Sequence, residues 1–202
     1  MLRQNNDSKK KVIYNPIKRY SDFILAIIAV IILSPIMLII AISIKFTSKG
    51  PVFFKQKRAG INSKPFYIYK FRTMKNDSPI LSTEEFVDCK SYITSVGKLL
   101  RKTSLDEIPQ FLNVIKGEIS LVGPRPIMLE EKDLIELRKE KGVDCVRPGI
   151  TGFAQINGRD NISVEEKVSY DEIYVSKASI LFDIKILFVT VLKVIKRDGI
   201  VS

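Results

Sequence analysis

The 202-residue sequence contains no histidine and only two cysteines, Cys89 and Cys145. Without imidazole there is no Ser-His-Asp or Cys-His catalysis, no HExxH zinc site and no imidazole general base. Two thiols give no disulfide framework, which points to a reducing compartment, and with no histidine they make a structural zinc site improbable. The chain also lacks a GxxxxGK[ST] loop, a GxGxxG turn and an Asp-x-Asp pair. An ordinary kinase, dehydrogenase or metal-dependent glycosyltransferase fold is therefore disfavoured. Acidic residues are scarce at one end: residues 1–75 hold fifteen of the 33 Lys/Arg but only two of the 22 Asp/Glu, Asp7 and Asp22. A basic third on a near-neutral body implies an anionic surface beside it, either nucleic acid or membrane headgroups.

Residues 23–44, FILAIIAVIILSPIMLIIAISI, decide for the membrane: they carry no charge at all. Twenty-two residues at about 1.5 Å each can cross a hydrocarbon core about 30 Å thick. A signal peptide is disfavoured, because the run is too long for a typical leader and is followed by Lys45 and Lys49 rather than a small-residue cleavage site. Ser34-Pro35 sits at the midpoint, and both flanks are basic: Lys9, Lys10, Lys11, Lys18 and Arg19 before, Lys45, Lys49, Lys55, Lys57 and Arg58 after. Positive charge marks the cytoplasmic side, so a helix broken at Pro35 that re-enters the same leaflet satisfies both flanks. A single-pass helix with a tolerated proline is the competing reading. A DNA-binding protein is disfavoured by the apolar run and the near-neutral body.

The expected organisation is a basic, flexible N-terminus over residues 1–15, a membrane-inserted segment over 16–48 and one catalytic domain over 49–202. KPFYIYKFRTM alternates as a strand does, with Phe66, Ile68 and Lys70 on one face and Tyr67, Tyr69 and Phe71 on the other. Residues 76–90 are polar and read as a mobile loop with a short helix. From Ser104 the pattern predicts a helix: Ser104 with Glu107 matches a capping box, Ile108, Phe111, Leu112 and Ile115 recur at helical spacing, and Gly117 can end it. Asp106, Gln110 and Asn113 would form a polar stripe on it. Residues 128–141 form a charged helical stretch. The C-terminal SILFDIKILFVTVLKVIKRDG keeps Asp183, Thr190, Lys193 and Arg197 along one side of an apolar helix. That helix would either lie on the membrane or be buried in a core.

Asp106 and Glu107 stand among Lys70, Arg72, Arg101, Arg125, Arg147 and Arg159, and three of these arginines lie in GPRP, RPG and NGR turns. Rigid turns aim a guanidinium at little entropic cost, which suits phosphate recognition. The two carboxylates could bind Mg²⁺ together with substrate phosphates, attack phosphorus as nucleophiles, or only cap a helix.

An ordered series of motifs then resembles the bacterial sugar transferase family, in its small monotopic phosphoglycosyl transferase form. The series is KRYSD, Ser34-Pro35, GPVFFKQKRAG, YKFRTM, LRKTSLDEIPQFLNVIKGEISLVGPRP, RPGITGFAQINGR and LFDIKILFVTVLKVIKR, almost end to end. The resemblance implies transfer of a sugar-1-phosphate from a UDP-sugar to a polyprenol phosphate such as undecaprenyl phosphate. UMP would be released, Mg²⁺ required, and lipid-linked glycan assembly initiated. It implies Asp106 as nucleophile and Glu107 as metal ligand or acceptor-assisting group, with Asp106 also placed to share the metal. Lys70, Arg72, Arg101 and Arg125 would neutralise phosphate, Arg147 and Arg159 would contact nucleotide or phosphate, and Arg19 and Asp22 would position the acceptor or anchor the membrane break at Ser34 and Pro35. The implied fold is α+β and mostly helical, with a re-entrant membrane helix, a small sheet and interfacial amphipathic helices. The implied place is the cytoplasmic face of the bacterial inner membrane, among membrane lipids and without nucleic acid. Phe153 stands where the family usually has Trp, and YDEIYVSKAS is a looser version of its usual stretch. The rival activities are a polyprenyl-phosphate glycosyltransferase releasing UDP and an inactive membrane scaffold.

Overall fold

The computed structural model describes residues 2–75, 78, 92–158 and 162–196. The expected loop over residues 76–90 lies outside them except for residue 78, and Arg159 lies outside them altogether.

The chain begins with a helix, α1 (Leu2–Thr47), that contains the whole apolar run. α1 also takes in residues 2–15, the stretch expected to form the basic N-terminus. The helical backbone runs on through both Pro16 and Pro35, where a proline inside a helix bends it without ending it. Pro35 has no N–H to offer the carbonyl of Ile31 one turn back. The Ser34 hydroxyl donates to that same carbonyl at 2.8 Å, so the group is satisfied without water.

Most apolar side chains of α1 are exposed, among them Ile31, Ile32, Leu38, Ile39 and Phe46. Buried residues follow one narrow face, Asp22, Ala26, Ile40 and Ile44, with Leu33 and Met37 partly covered between them. This face touches the rest of the protein near both ends of the apolar run.

β1 (Phe53–Ala59) and β2 (Pro65–Phe71) form an antiparallel hairpin, with Lys55 opposite Tyr69, Gln56 opposite Ile68 and Arg58 opposite Phe66. The predicted alternation holds: Phe66 and Ile68 are buried in the first core cluster, and Lys70 is the next inward residue. Phe71 on the other face is buried against Ile40 and Ile44 of α1. The second sheet is a parallel pair, β3 (Ser120–Val122) with β4 (Gly149–Thr151). Between the sheets run α2 (Ser95–Thr103) and α3 (Gln110–Lys116). Gly97 of α2 lies on the Thr73 carbonyl, where any Cβ would collide with the backbone. α4 (Lys132–Glu140), the short α5 (Phe153–Asn157), α6 (Val164–Lys177) and α7 (Ile180–Lys196) complete the domain.

α7 is amphipathic with its apolar surface outward. Asp183 and Ile186 are buried, and Thr190 bonds Thr151 at 2.8 Å. Leu181, Ile184, Phe188, Val191 and Val194 face out, Leu181 at 81% exposure. A soluble helix would reverse that arrangement.

Candidate active site

The predicted capping box is absent. Ser104 adopts a left-handed conformation (φ 56°) that ends α2, and its side chain caps nothing. Pro109 is the reason: inside a helix starting at Ser104 it could not bond the carbonyl of Leu105. The chain instead makes a tight turn over Leu105–Glu107, and α3 starts only after Pro109. Gly117 (φ 83°) ends α3 as expected. Ile108 is buried and Leu105 partly buried in the second core cluster, and this fixes the turn that carries the two carboxylates.

Asp106 is buried and Glu107 half-buried. Glu107 accepts from the Lys70 ammonium at 2.7 Å and, more loosely, from Arg125 at 3.4 Å. Lys70 reaches it because β2 alternation places it at the end of the inward face. Arg101, on α2, donates through Nε to Thr73 Oγ1 at 2.9 Å and carries its charge close enough to act on Asp106. Burial pushes the Asp106 carboxyl above its ordinary value; Lys70 pulls it down, Glu107 pushes it up and Arg101 pulls it down, in falling order of effect. The structure therefore brings together Asp106, Glu107, Lys70, Arg101 and Arg125.

The other predicted residues lie elsewhere. Arg72 donates to the carbonyl and hydroxyl of Ser48, both at 2.8 Å, which fastens the end of β2 to the first residue beyond α1. Arg19 donates to the carbonyls of Val114 and Ile115, and Arg147 to that of Gly117. Both arginines thus complement the negative end of α3, opposite the end that follows Asp106 and Glu107. Asp22 accepts from Ser120 and lies 3.6 Å from Lys18, which also pairs with Asp183 at 2.7 Å. Tyr174 joins the same network, its single hydroxyl proton shared between Asp183 at 2.8 Å and the Val122 carbonyl at 3.0 Å. Ser34 and Pro35 lie mid-way along the apolar run of α1 and are exposed. Phe153 packs with Tyr170 and Phe182, so its place is among α5, α6 and α7.

Sequence reasoning missed three supports. Asn113 is fully buried and bonds both sides of the strand edge: its amide donates to Tyr67 O and Glu118, and its oxygen accepts from Tyr69 N–H. Arg138 donates to the Arg125 carbonyl at 2.8 Å and to Asp171 at 2.7 Å, so a buried pair between α4 and α6 holds the Pro124–Pro126 turn. Burial pushes Asp171 up to about 6 despite that guanidinium. Arg58 is the third; it shares the inward face of β1 with Gln56, an alternation the sequence showed but which was read as a basic flank.

Comparison with known proteins adds to this geometry. The family model described as bacterial sugar transferase matches residues 13–197. The chain is 43% identical to the uncharacterized sugar transferase EpsL of Bacillus subtilis, over 91% of this chain and 90% of that protein. It is 43% identical to a UDP-glucose:undecaprenyl-phosphate glucose-1-phosphate transferase of Klebsiella pneumoniae, over 87% of this chain but 39% of that protein. It is 38% identical to a UDP-N-acetylgalactosamine-undecaprenyl-phosphate N-acetylgalactosaminephosphotransferase of Aeromonas hydrophila, over 93% of this chain and 45% of that protein. The chain thus spans less than half the length of the two relatives whose substrates are named.

Proposed function

The chain belongs to the bacterial sugar transferase family, and from that premise we propose that it transfers a sugar-1-phosphate from a UDP-sugar to undecaprenyl phosphate, with Asp106 as the nucleophile. The observation that carries this is a buried carboxylate flanked by a second carboxylate, Lys70 and Arg101, with Arg125 on the same Glu107. An Asp106 oxygen attacks the β-phosphorus, forming an acyl phosphate bond. The bond from that phosphorus to the bridging oxygen breaks, and UMP leaves with the electron pair. A phosphate oxygen of the lipid then attacks the same phosphorus and frees Asp106, giving a polyprenyl diphosphate sugar. A carboxylate meeting a diphosphate is repelled, and Lys70, Arg101 and Arg125 are the groups that offset this.

Asp106 and Glu107 also suit Mg²⁺. No group of three or more ligating Asp, Glu, Cys or His side chains exists among the described residues, and Mg²⁺ needs only one or two carboxylates beside substrate phosphates. Bound there, it would supply charge neutralisation to the diphosphate.

The seat of this reaction is the cytoplasmic face of the bacterial inner membrane, with α1 entering and leaving through the same face. The support is that Lys18 and Arg19 at one end of the apolar run, and Ile40 and Ile44 at the other, rest on one domain. A straight span would put its ends about 30 Å apart, on opposite sides of the bilayer.

The test is the intact mass of the protein after incubation with UDP-sugars and Mg²⁺, without lipid. A phospho-sugar adduct with release of UMP, absent in Asp106→Asn, is expected. Release of UDP, or an adduct that survives in Asp106→Asn, would overturn the reading.

A further inference from the structure

Arg58 closes the β1 side of the same site. It lies on the inward face of β1, opposite Phe66 by register, and bridges to Met128 just beyond the Pro124–Pro126 turn. Its guanidinium is largely buried yet forms no ion pair among the described residues. One terminal nitrogen donates to Gln56 Oε1 at 2.7 Å. The other reaches the Pro126 carbonyl only at 3.5 Å, and Nε has no partner. The strongest charge acting on it is another cation, Arg125, ahead of Glu131, Glu130 and Glu107. Burial first, then Arg125, push its pKa down.

Like charges are not held together in a half-dry place without cost. Here the sequence builds the arrangement deliberately: strand alternation turns Arg58 inward, and the carbonyl of Arg125 is pinned by the buried Arg138–Asp171 pair. Arg58 reaches the carbonyl of Pro126, next to Arg125, whose own guanidinium meets Glu107 loosely at 3.4 Å, and a phosphate offers oxygens at a spacing that suits two planar forks. We propose that Arg58 is a further substrate-binding residue, which together with Arg125 clamps a phosphate oxyanion of the substrate. The inference rests on reading the Asp106 site as one for phosphoryl transfer. The oxyanion belongs either to the diphosphate of the UDP-sugar or to the phosphate of the lipid acceptor, two sources with one chemistry.

The experiment uses the full chain in nanodiscs: wild type, Arg58→Ala, Arg58→Lys, Arg125→Ala and the double variant Arg58→Ala/Arg125→Ala. UMP release is measured against UDP-sugar at saturating lipid phosphate, and against lipid phosphate at saturating UDP-sugar. Loss of one charge-assisted contact should raise one KM about tenfold or more. Lysine should restore only part of it, and the two arginine effects should be non-additive. A rise for UDP-sugar assigns the donor diphosphate; a rise for the lipid assigns the acceptor. Both KM values within about twofold of wild type, whatever the melting temperature does, would overturn the proposal. A separate arm reads the thermal shift caused by pyrophosphate, which needs no turnover. Wild type should be stabilised and Arg58→Ala should not be; equal stabilisation would also overturn it. Failure of the wild type to release UMP would count against the reaction, while the pyrophosphate arm would still decide Arg58.

Discussion

Asp106 is a carboxylate that the fold would rather keep neutral. Its pKa is raised chiefly by burial, so the folded state binds its proton more tightly than the unfolded chain does. Stability from this group is therefore greatest below the ordinary carboxylate range and is lost as pH rises through the raised value. Asp106→Asn should abolish turnover yet melt no lower than wild type at neutral pH, as read by calorimetry. If Asp106 is the nucleophile proposed above, it must be ionised to attack phosphorus, and the rate should fall on the acid side. Lys70 exerts the largest downward pull on Asp106. Lys70→Met should thus move the acid limb of the kcat profile to higher pH besides lowering kcat, and Arg101→Met should move it less. An unmoved limb in Lys70→Met would detach Asp106 from that limb. That Asp106, Glu107, Lys70 and Arg125 belong to one cluster was legible in the sequence because each sits in a short motif with its own local logic. Arg72 and Arg147 were not separable from them, since what distinguishes a structural arginine is the carbonyl it meets 24 or 30 residues away.

At the level of the element, the turn before α3 shows why pattern and geometry part company. Ser104 and Glu107 have the spacing of a capping box, but Pro109 has no N–H to continue that helix, and the site lies on a tight turn instead. The β2 alternation was read correctly, because nothing in KPFYIYKF competes with a strand. Asn113 read as part of a polar stripe with Asp106 and Gln110, and all three are buried. It acts as a one-residue extension of the sheet, bonding Tyr67 and Tyr69. Asn113→Ala should therefore cost about 2–3 kcal/mol in urea unfolding, because it strands a buried donor and acceptor. Activity should fall with it, since β2 carries Lys70. In α1 the Ser34 hydroxyl meets the carbonyl left over by Pro35. Ser34→Ala should lower the helix content of detergent-solubilised protein on heating, while Ser34→Ala/Pro35→Ala, which restores the backbone bond, should not.

Across the whole molecule, the outward surfaces of α1 and α7 are apolar while their inward faces carry Lys18, Asp22 and Asp183. The sequence showed both apolar helices and the polar stripe of the C-terminal one, but not which way that stripe faced. Packing settled that, through the bonds of Asp183 to Tyr174 and of Thr190 to Thr151. If the outward face of α7 meets lipid, Leu181→Glu/Phe188→Glu should cut recovery in sedimented vesicles severalfold without unfolding the domain, as followed by circular dichroism. Unchanged recovery would leave α1 as the sole attachment. The fastening of α1 has one more consequence. Lys18 and Arg19 bind it to the domain at one end, and Arg72 grips Ser48 at the other. An enzyme hung from a flexible leash samples a hemisphere above the bilayer and meets lipid in three dimensions. One bolted down at both ends would hold Asp106 at a single altitude, so that, with the lipid-borne acceptor proposed above, encounters would become a search in the plane, governed by lateral diffusion.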